Sequence, residues 1–294
     1  MISVIIPVYN AEAFLERSLG SLIQQTYKDW EAICVNDGST DSSGEILREL
    51  SSRDSRIKVL DKINEGVSQA RNEGLLHVSG DYVMFLDSDD FLHPKAMELL
   101  IDITKKEKVD LVAFTYSRSY RLKTLFSHML YLPERKKIKF PNFDINSAGY
   151  KVTDDIYRYA TEGPDLDLPE NEKKWIVKHC QPWRGLYKTE VVKPLKFLSG
   201  IIYEDFPWWG ELLLKVKRSA ILNLPLYYYY PNRKSYIFKS KQQFKIDSLK
   251  KALSASEKLY SREATEYQKQ MWEKNFLIPF RTKLDKKLKR SKKG

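Results

Sequence analysis

Apolar residues in this chain come in two arrangements that alternate from the start to about position 115: short unbroken runs, and segments where they recur every three or four positions. Ser3-Val4-Ile5-Ile6-Pro7-Val8-Tyr9-Asn10 reads as a buried strand, which Pro7 should stop because it brings no ladder donor. Leu15, Leu19, Leu22 and Ile23 then fall at helical spacing within Ala11 to Gln25. Trp30 to Val35 predicts a second strand, closed by the turn formers Asn36-Asp37-Gly38-Ser39-Thr40-Asp41, with a helix following to about Ser51. Ile57 to Leu60 is a short third strand. A helix opens at Asn64-Glu65-Gly66-Val67-Ser68 and runs through Ala70, Leu75 and Leu76. Tyr82 to Leu86 is the fourth strand, Pro94 to about Lys106 a helix, and Asp110 to Phe114 the fifth strand. Alternation this regular predicts an α/β fold, a mostly parallel Rossmann-like sheet with helices on both faces. Ligands bind such sheets in the crevice beyond the carboxyl ends of the strands, where Asp37 and Asp87 both fall.

The pattern weakens from Tyr116 to about Trp175, where Glu162-Gly163-Pro164-Asp165 and Leu168-Pro169-Glu170 look like loops. Order restarts at Pro182-Trp183-Arg184-Gly185-Leu186-Tyr187. Ile201-Ile202 reads as a short strand, followed by the acids Glu204 and Asp205 and a helix from Leu212 to Val216. Leu226 to Tyr230 predicts one more strand, and the rest is helical and charged. Three regions follow: 1–115, a ligand-binding half; 116–230, a second half carrying the Glu204-Asp205 pair; and 231–294, a helical extension ending in a basic tail.

At 294 residues, with 42% hydrophobic and 30% charged, the composition is that of a soluble globular protein. No apolar run approaches the length of a membrane span, and Met1-Ile2-Ser3 does not begin a secretion signal, so a cytoplasmic location is expected. The two cysteines, Cys34 and Cys180, lie far apart in no metal-like spacing, which fits a reducing compartment. The net charge of +11 is unevenly placed. Eight basic residues between Arg281 and Lys293 face Asp285 alone, leaving about +4 for the rest of the chain. That distribution argues against a nucleic-acid surface, which needs basic residues spread over a face and aromatic platforms among them. It predicts a tail drawn to an anionic membrane, at roughly 1 kcal/mol per basic residue, on the inner face of the cytoplasmic membrane; the alternative is a frayed, solvated terminus.

Chemistry concentrates at the end of the fourth strand, where Asp87-Ser88-Asp89-Asp90 places three acids within four positions. Two carboxylates one residue apart are hard oxygen ligands of the kind that hold Mg²⁺ or Mn²⁺ with a substrate's phosphates. The alternative is a solvated turn capping the helix near Pro94. On the residues alone, Glu204 or Asp205 reads as an N-cap for the helix entered at Pro207. Adjacent residues of an extended segment point oppositely, so one acid of that pair would reach a substrate. His77, His93, His128 and His179 have no metal spacing. GxGxxG and GxxxxGK[ST] are both absent, which argues against a dinucleotide cofactor and a P-loop.

Five stretches share one pattern in one order: Ser3 to Asn10, Val35 to Asp41, Asn64-Glu65-Gly66-Val67-Ser68-Gln69-Ala70-Arg71-Asn72, Phe85 to Asp90, and Tyr203-Glu204-Asp205. Together they resemble family 2 glycosyltransferases of the GT-A fold. The later Trp183 to Lys188 and Pro225 to Tyr230 are similar to the bacterial members that build capsule, lipopolysaccharide or other surface glycans. The resemblance implies inverting, metal-dependent transfer of a sugar from a nucleoside diphosphate donor, most often UDP with GDP or dTDP as alternatives, to a glycan or lipid-linked glycan acceptor. It implies that Pro7, Val8, Tyr9 and Asn10 line the nucleotide site with Gly66 and Ser88. Asp37 would bond the base and Arg71 would support it or the phosphates. Asp87 would meet the ribose or a metal-bound water, Asp89 would ligate the metal, and Asp205 of the Glu204-Asp205 pair would be the general base. Trp208 and Trp209 would stack on acceptor sugar rings, the alternative being core packing. Processive relatives carry QxxRW after the catalytic acid. Here Gln181-Pro182-Trp183-Arg184-Gly185 lacks the final Trp and precedes Asp205, which implies addition of one or a few sugars.

Overall fold

The computed structural model describes residues 1–118, 149–157, 181–232 and 240–291. Among these, nine strands form one sheet. In chain order they are β1 (Ile2–Val8), β2 (Trp30–Asp37), β3 (Ile57–Lys62), β4 (Tyr82–Phe85), β5 (Phe91–Leu92), β6 (Leu111–Arg118), β7 (Tyr150–Thr153), β8 (Gly185–Lys188) and β9 (Ser219–Tyr229). The described helices are α1 (Leu15–Ile23), α2 (Ser43–Arg53), α3 (Val67–Leu76), α4 (Ala96–Glu107), the single turn α5 (Thr189–Val192), α6 (Asp205–Lys215), α7 (Gln242–Glu263), α8 (Glu266–Trp272) and α9 (Ile278–Ser291).

The spatial order is β3-β2-β1-β4-β8-β6-β9-β5, with β7 paired to β9. The first four strands are parallel, as their apolar runs and intervening helices predict. The fifth predicted strand, β6, does not neighbour β4. Antiparallel β8 lies between them, so segments from before and after residue 115 share one sheet. β1 and β2 are buried along their whole length, which is why they read as continuous apolar runs rather than alternating ones. Glu31 is buried with them. It is satisfied by Ser3 Oγ, Ser79 and Lys58 Nζ, and these bonds overcome the cost of burial and hold its carboxyl down at about 2.

Two local expectations are corrected. Pro7 does not end its strand, and β1 continues to Val8 in register with Asn36. Ile5 accepts from Leu86 on the β4 side, and Pro7 has the same parity, so its missing donor faces the place where β4 has already ended at Phe85. Ile201-Ile202 forms no strand, and the helix beyond starts at Asp205 rather than Leu212. The cause is Tyr203, whose φ of +71° breaks any extended run, while the Ile202 amide donates to Ser248 Oγ on α7 at 3.2 Å. The predicted strand at Leu226–Tyr230 is the end of the longer β9, whose pairing with β6 shifts register around Thr115 and Pro225. The loop expectations at 162–170, with His128, His179 and Cys180, lie outside the described residues.

Candidate active site

The carboxyl ends of β1 to β4 open onto one side of the sheet, and the polar residues of that edge come from the loops that follow each strand. Pro7 and Val8 are themselves buried in β1; Tyr9, 52% exposed, and Asn10 face solvent. Asn10 adopts a φ of +49°, tolerable for Asn, and its side chain accepts from the Thr40 amide at 2.8 Å while its own amide donates to Ser39 Oγ. It therefore ties the β1 loop to the β2 loop. Asp37, at the end of β2, accepts from the amides of Glu65 (3.0 Å) and Gly66 (2.8 Å) and from Lys62 Nζ (3.1 Å). It fixes the turn entering α3. Gly66 has a φ of +91°, and Gly38 a φ of +67° with no room for a Cβ beside Asn64. Those two turns need glycine.

Helix α3 carries the pivotal cation. Arg71 is 5% exposed and donates from one guanidinium nitrogen to Asp87 Oδ1 at 2.9 Å and from the other to Glu204 Oε1 at 2.7 Å. Burial works against its charge, but Asp87 and Glu204 more than offset that and hold it protonated more firmly than a free arginine. Among the described residues its Nε has no hydrogen-bond partner, and the guanidinium lies over the Phe197 ring at 5.3 Å. Ser68 and Asn72 of the same helix lock the Phe197-Leu198 loop: Ser68 Oγ donates to the Leu198 carbonyl, and Asn72 bonds both backbone groups of Phe197. Thus the whole 64–72 motif acts as one brace.

At the end of β4, Ser88 is half-buried between two acids. Asp89 is pushed up to about 6 by burial and by the Asp87 charge, against the bond it accepts from Asn232 Nδ2 at 3.1 Å. Asp90 is fully buried and accepts from Tyr227 Oη and the Tyr230 amide, both at 2.6 Å. Burial, then the charges of Asp89 and Asp87, raise its carboxyl well above the ordinary range. Tyr227 Oη in turn accepts the Asp87 amide at 3.2 Å. Arg17 of α1 donates to the Asp89 carbonyl at 2.5 Å and lies over the rings of Phe91 and Tyr230. Crowded carboxylates with raised protonation are what a divalent cation would relieve, and the donors are hard oxygens, so Asp89 with Asp87 fits Mg²⁺ or Mn²⁺. Among the described residues no three His, Cys, Asp or Glu side chains form a ready-made cage, so further oxygens would have to come from a substrate.

Opposite them, Glu204 and Asp205 enter α6. Glu204 is committed to Arg71, whereas Asp205 meets Arg71 and Lys283 only as nearby charges. Burial and the Glu204 charge push Asp205 up to about 7. Trp208 and Trp209 are 1% and 3% exposed. Trp208 stacks on Phe197 and packs edge-on to Phe85 and Tyr187, so the two tryptophans form core and offer no ring to an acceptor. This corrects the acceptor expectation. The residues that sequence reasoning missed are Arg17, Asp90, Tyr227, Asn232 and Lys283, all brought in by contacts distant in sequence. Only the acid run itself hinted at Asp90.

Residues 3–159 match the family model described as Glycosyl transferase family 2. Glycosyltransferase GlyA of Streptococcus pneumoniae is 34% identical over 230 residues, covering 78% of this chain and 30% of that protein. The chain spans 30% to 62% of the length of the first curated relatives it matches. Among solved structures, S. aureus TarS 1-349 in complex with UDP-GlcNAc aligns with a TM-score of 0.65 at 19% identity, covering 95% of this chain and 71% of that one. Mannosyltransferase PcManGT from Pyrobaculum calidifontis, in complex with GDP-Man and Mn²⁺, aligns with a TM-score of 0.52 at 13% identity, covering 98% of this chain and 84% of that one.

Proposed function

This chain belongs to glycosyl transferase family 2, and from that premise we propose that it transfers a sugar, with inversion, from a nucleoside diphosphate donor to an acceptor hydroxyl. The observation that carries the reading is the buried Arg71 bridge. One guanidinium holds Asp87, at the strand end suited to a donor, and Glu204, beside the acid suited to an acceptor. The two halves of a transfer site therefore stand a guanidinium's width apart.

In this reading the diphosphate lies over Asp87 and Asp89, with Tyr9 against the base and Asp37 at the base edge. Mg²⁺ or Mn²⁺ held by Asp89 and Asp87 would act as a Lewis acid toward the charge developing on the leaving diphosphate. Asp205 accepts the acceptor hydroxyl's proton as the sugar is attacked from the opposite face. Its carboxyl, up at about 7, suits a base working near neutrality, because general bases serve best when their pKa lies near the operating pH. Glu204 cannot share that task while it neutralises Arg71. The donor base is uracil, with guanine and thymine as competitors, and the acceptor is a glycan or lipid-linked glycan of a bacterial surface polymer.

The transfer is non-processive. Gln181 to Gly185 folds into a buried turn, Pro182–Arg184, in which Trp183 stacks on Tyr227, rather than an open acceptor groove. No helix among the described residues is long and apolar enough to cross a membrane. Lys286 and Lys289, exposed on α9, are available to an anionic membrane surface. A thermal-shift screen of UDP, GDP and dTDP, each with and without Mn²⁺, tests the donor half. One nucleotide should raise Tm, and only with metal. No shift from any of them at millimolar concentration would overturn the reading.

A further inference from the structure

The C-terminal helix α9 is laid against the acid pair, not away from it. Phe280 stacks on Phe206 with ring centroids 3.7 Å apart and meets Tyr203 edge-on at 6.4 Å. Three residues on, hence on the same helix face, Lys283 Nζ lies over the Tyr203 ring, 4.2 Å from its centroid. Tyr203 directly precedes Glu204 and has a φ of +71°, which is a strained conformation for a bulky residue and persists only where its surroundings over-determine it. Its carbonyl accepts the Phe206 amide at 3.2 Å, which closes the turn into α6.

The approach of α9 is built in by its neighbours. The π-helical segment Glu273–Leu277 resets the helical phase between α8 and α9, a device found often at functional sites. Trp272 stacks on Tyr260 and Phe276 and lies against Gly210 of α6, where a Cβ would come within 2.9 Å of the indole. Tyr260 Oη donates to the Gly210 carbonyl at 3.0 Å. The C-terminal helices thus grip α6 at its middle and, through Phe280 and Lys283, at its start.

We infer that Lys283 is a positioning residue for sugar transfer: its ammonium, seated over the Tyr203 ring, fixes the left-handed turn that presents Asp205 to the acceptor hydroxyl. The inference rests on reading Asp205 as the base. It separates Lys283 from Lys286 and Lys289, which are exposed as Lys283 is but, among the described residues, make no such ring contact with the turn. The charge of Lys283 also falls on Asp205, opposing burial and Glu204. That is the sense expected of a cation that steadies a base in its working form.

Two substitutions in the full chain test this. Lys283→Met keeps the reach and removes the cation; Lys283→Arg keeps the cation over the ring. Lys283→Met should lower kcat about tenfold or more with the donor Kd unchanged, since small misplacements of a reacting group are costly, and Lys283→Arg should restore kcat to within about twofold. Hydrogen exchange should be faster across residues 203–206 in Lys283→Met and of wild-type rate in Lys283→Arg. Wild-type kcat or wild-type exchange in Lys283→Met, or equal impairment in Lys283→Arg, overturns the inference. If the wild-type chain releases no nucleoside diphosphate from any donor, the reading of Asp205 has failed, and the exchange experiment still decides whether Lys283 fixes the turn.

Discussion

Removing the fork of Arg71 while keeping its charge should unhinge the two halves of the site. Arg71→Lys replaces a planar donor that reaches Asp87 at 2.9 Å and Glu204 at 2.7 Å with a point charge on a shorter stem. It can serve one carboxylate and leaves the other, within a largely buried cluster, without its partner. A hydrogen bond to a charged group is worth about 1.5–3 kcal/mol, so the loss should be about 2 kcal/mol. For a chain of 294 residues that lowers Tm by about 3 °C. Arg71→Met strands both acids and should cost about 3–5 kcal/mol. Urea unfolding measures each, and a cycle with Glu204→Gln isolates the pair, which should couple by about 1 kcal/mol or more because the residues touch. Arg71→Met within about 0.5 kcal/mol of wild type, or additive effects of Arg71→Lys and Glu204→Gln, would refute the bridge as the link between the halves.

Asp205 makes a prediction about pH and stability. Its carboxyl is raised to about 7, above its unfolded value of about 3.9, so the stability it contributes is complete below about pH 4 and is lost as pH rises through 7. Asp205→Asn should therefore raise Tm at pH 8 and leave it nearly unchanged at pH 4; an equal change at both would argue against a raised base. Asp89→Ala should remove the Mn²⁺-dependent part of a nucleotide thermal shift, up to about 2.7 kcal/mol at a hundredfold excess over Kd, while the fold survives. For the tail, Lys286→Gln with Lys289→Gln should weaken binding to phosphatidylserine vesicles by roughly 2 kcal/mol, about thirtyfold, and less at high salt. Unchanged vesicle binding would make the tail a solvated terminus.

The nucleotide-side half of the fold was legible because its strands are buried on both faces and its helices are amphipathic, two patterns that need no distant partner to recognise. The succession of β1 to β4 along the chain, their parallel pairing and the turn at Asp37 followed from that. What the sequence hid was set by contacts far along the chain. Antiparallel β8 enters between β4 and β6, which nothing in its four residues announces. Apolar Ile201-Ile202 looks like a strand but is bent aside by Tyr203, a residue whose type disfavours the φ it adopts. Trp208 and Trp209 follow the acids closely enough to suggest an acceptor platform, yet helical periodicity turns both into the core. The pairing of Arg71 with Glu204 spans 133 positions, so no local pattern showed that Glu204 is bound, and only the resemblance singled out Asp205 as the proposed base.

That division is the centre of the account, and one measurement meets it directly. Release of nucleoside diphosphate from UDP-, GDP- and dTDP-sugars is followed for wild type and Asp205→Asn with Mn²⁺ and a glycan acceptor, while donor Kd is measured by calorimetry for both. The account predicts acceptor-dependent release by wild type, and by Asp205→Asn a loss of roughly 10²–10⁴-fold, the contribution expected of a general base, at unchanged donor Kd. Turnover by Asp205→Asn at the wild-type rate would contradict it.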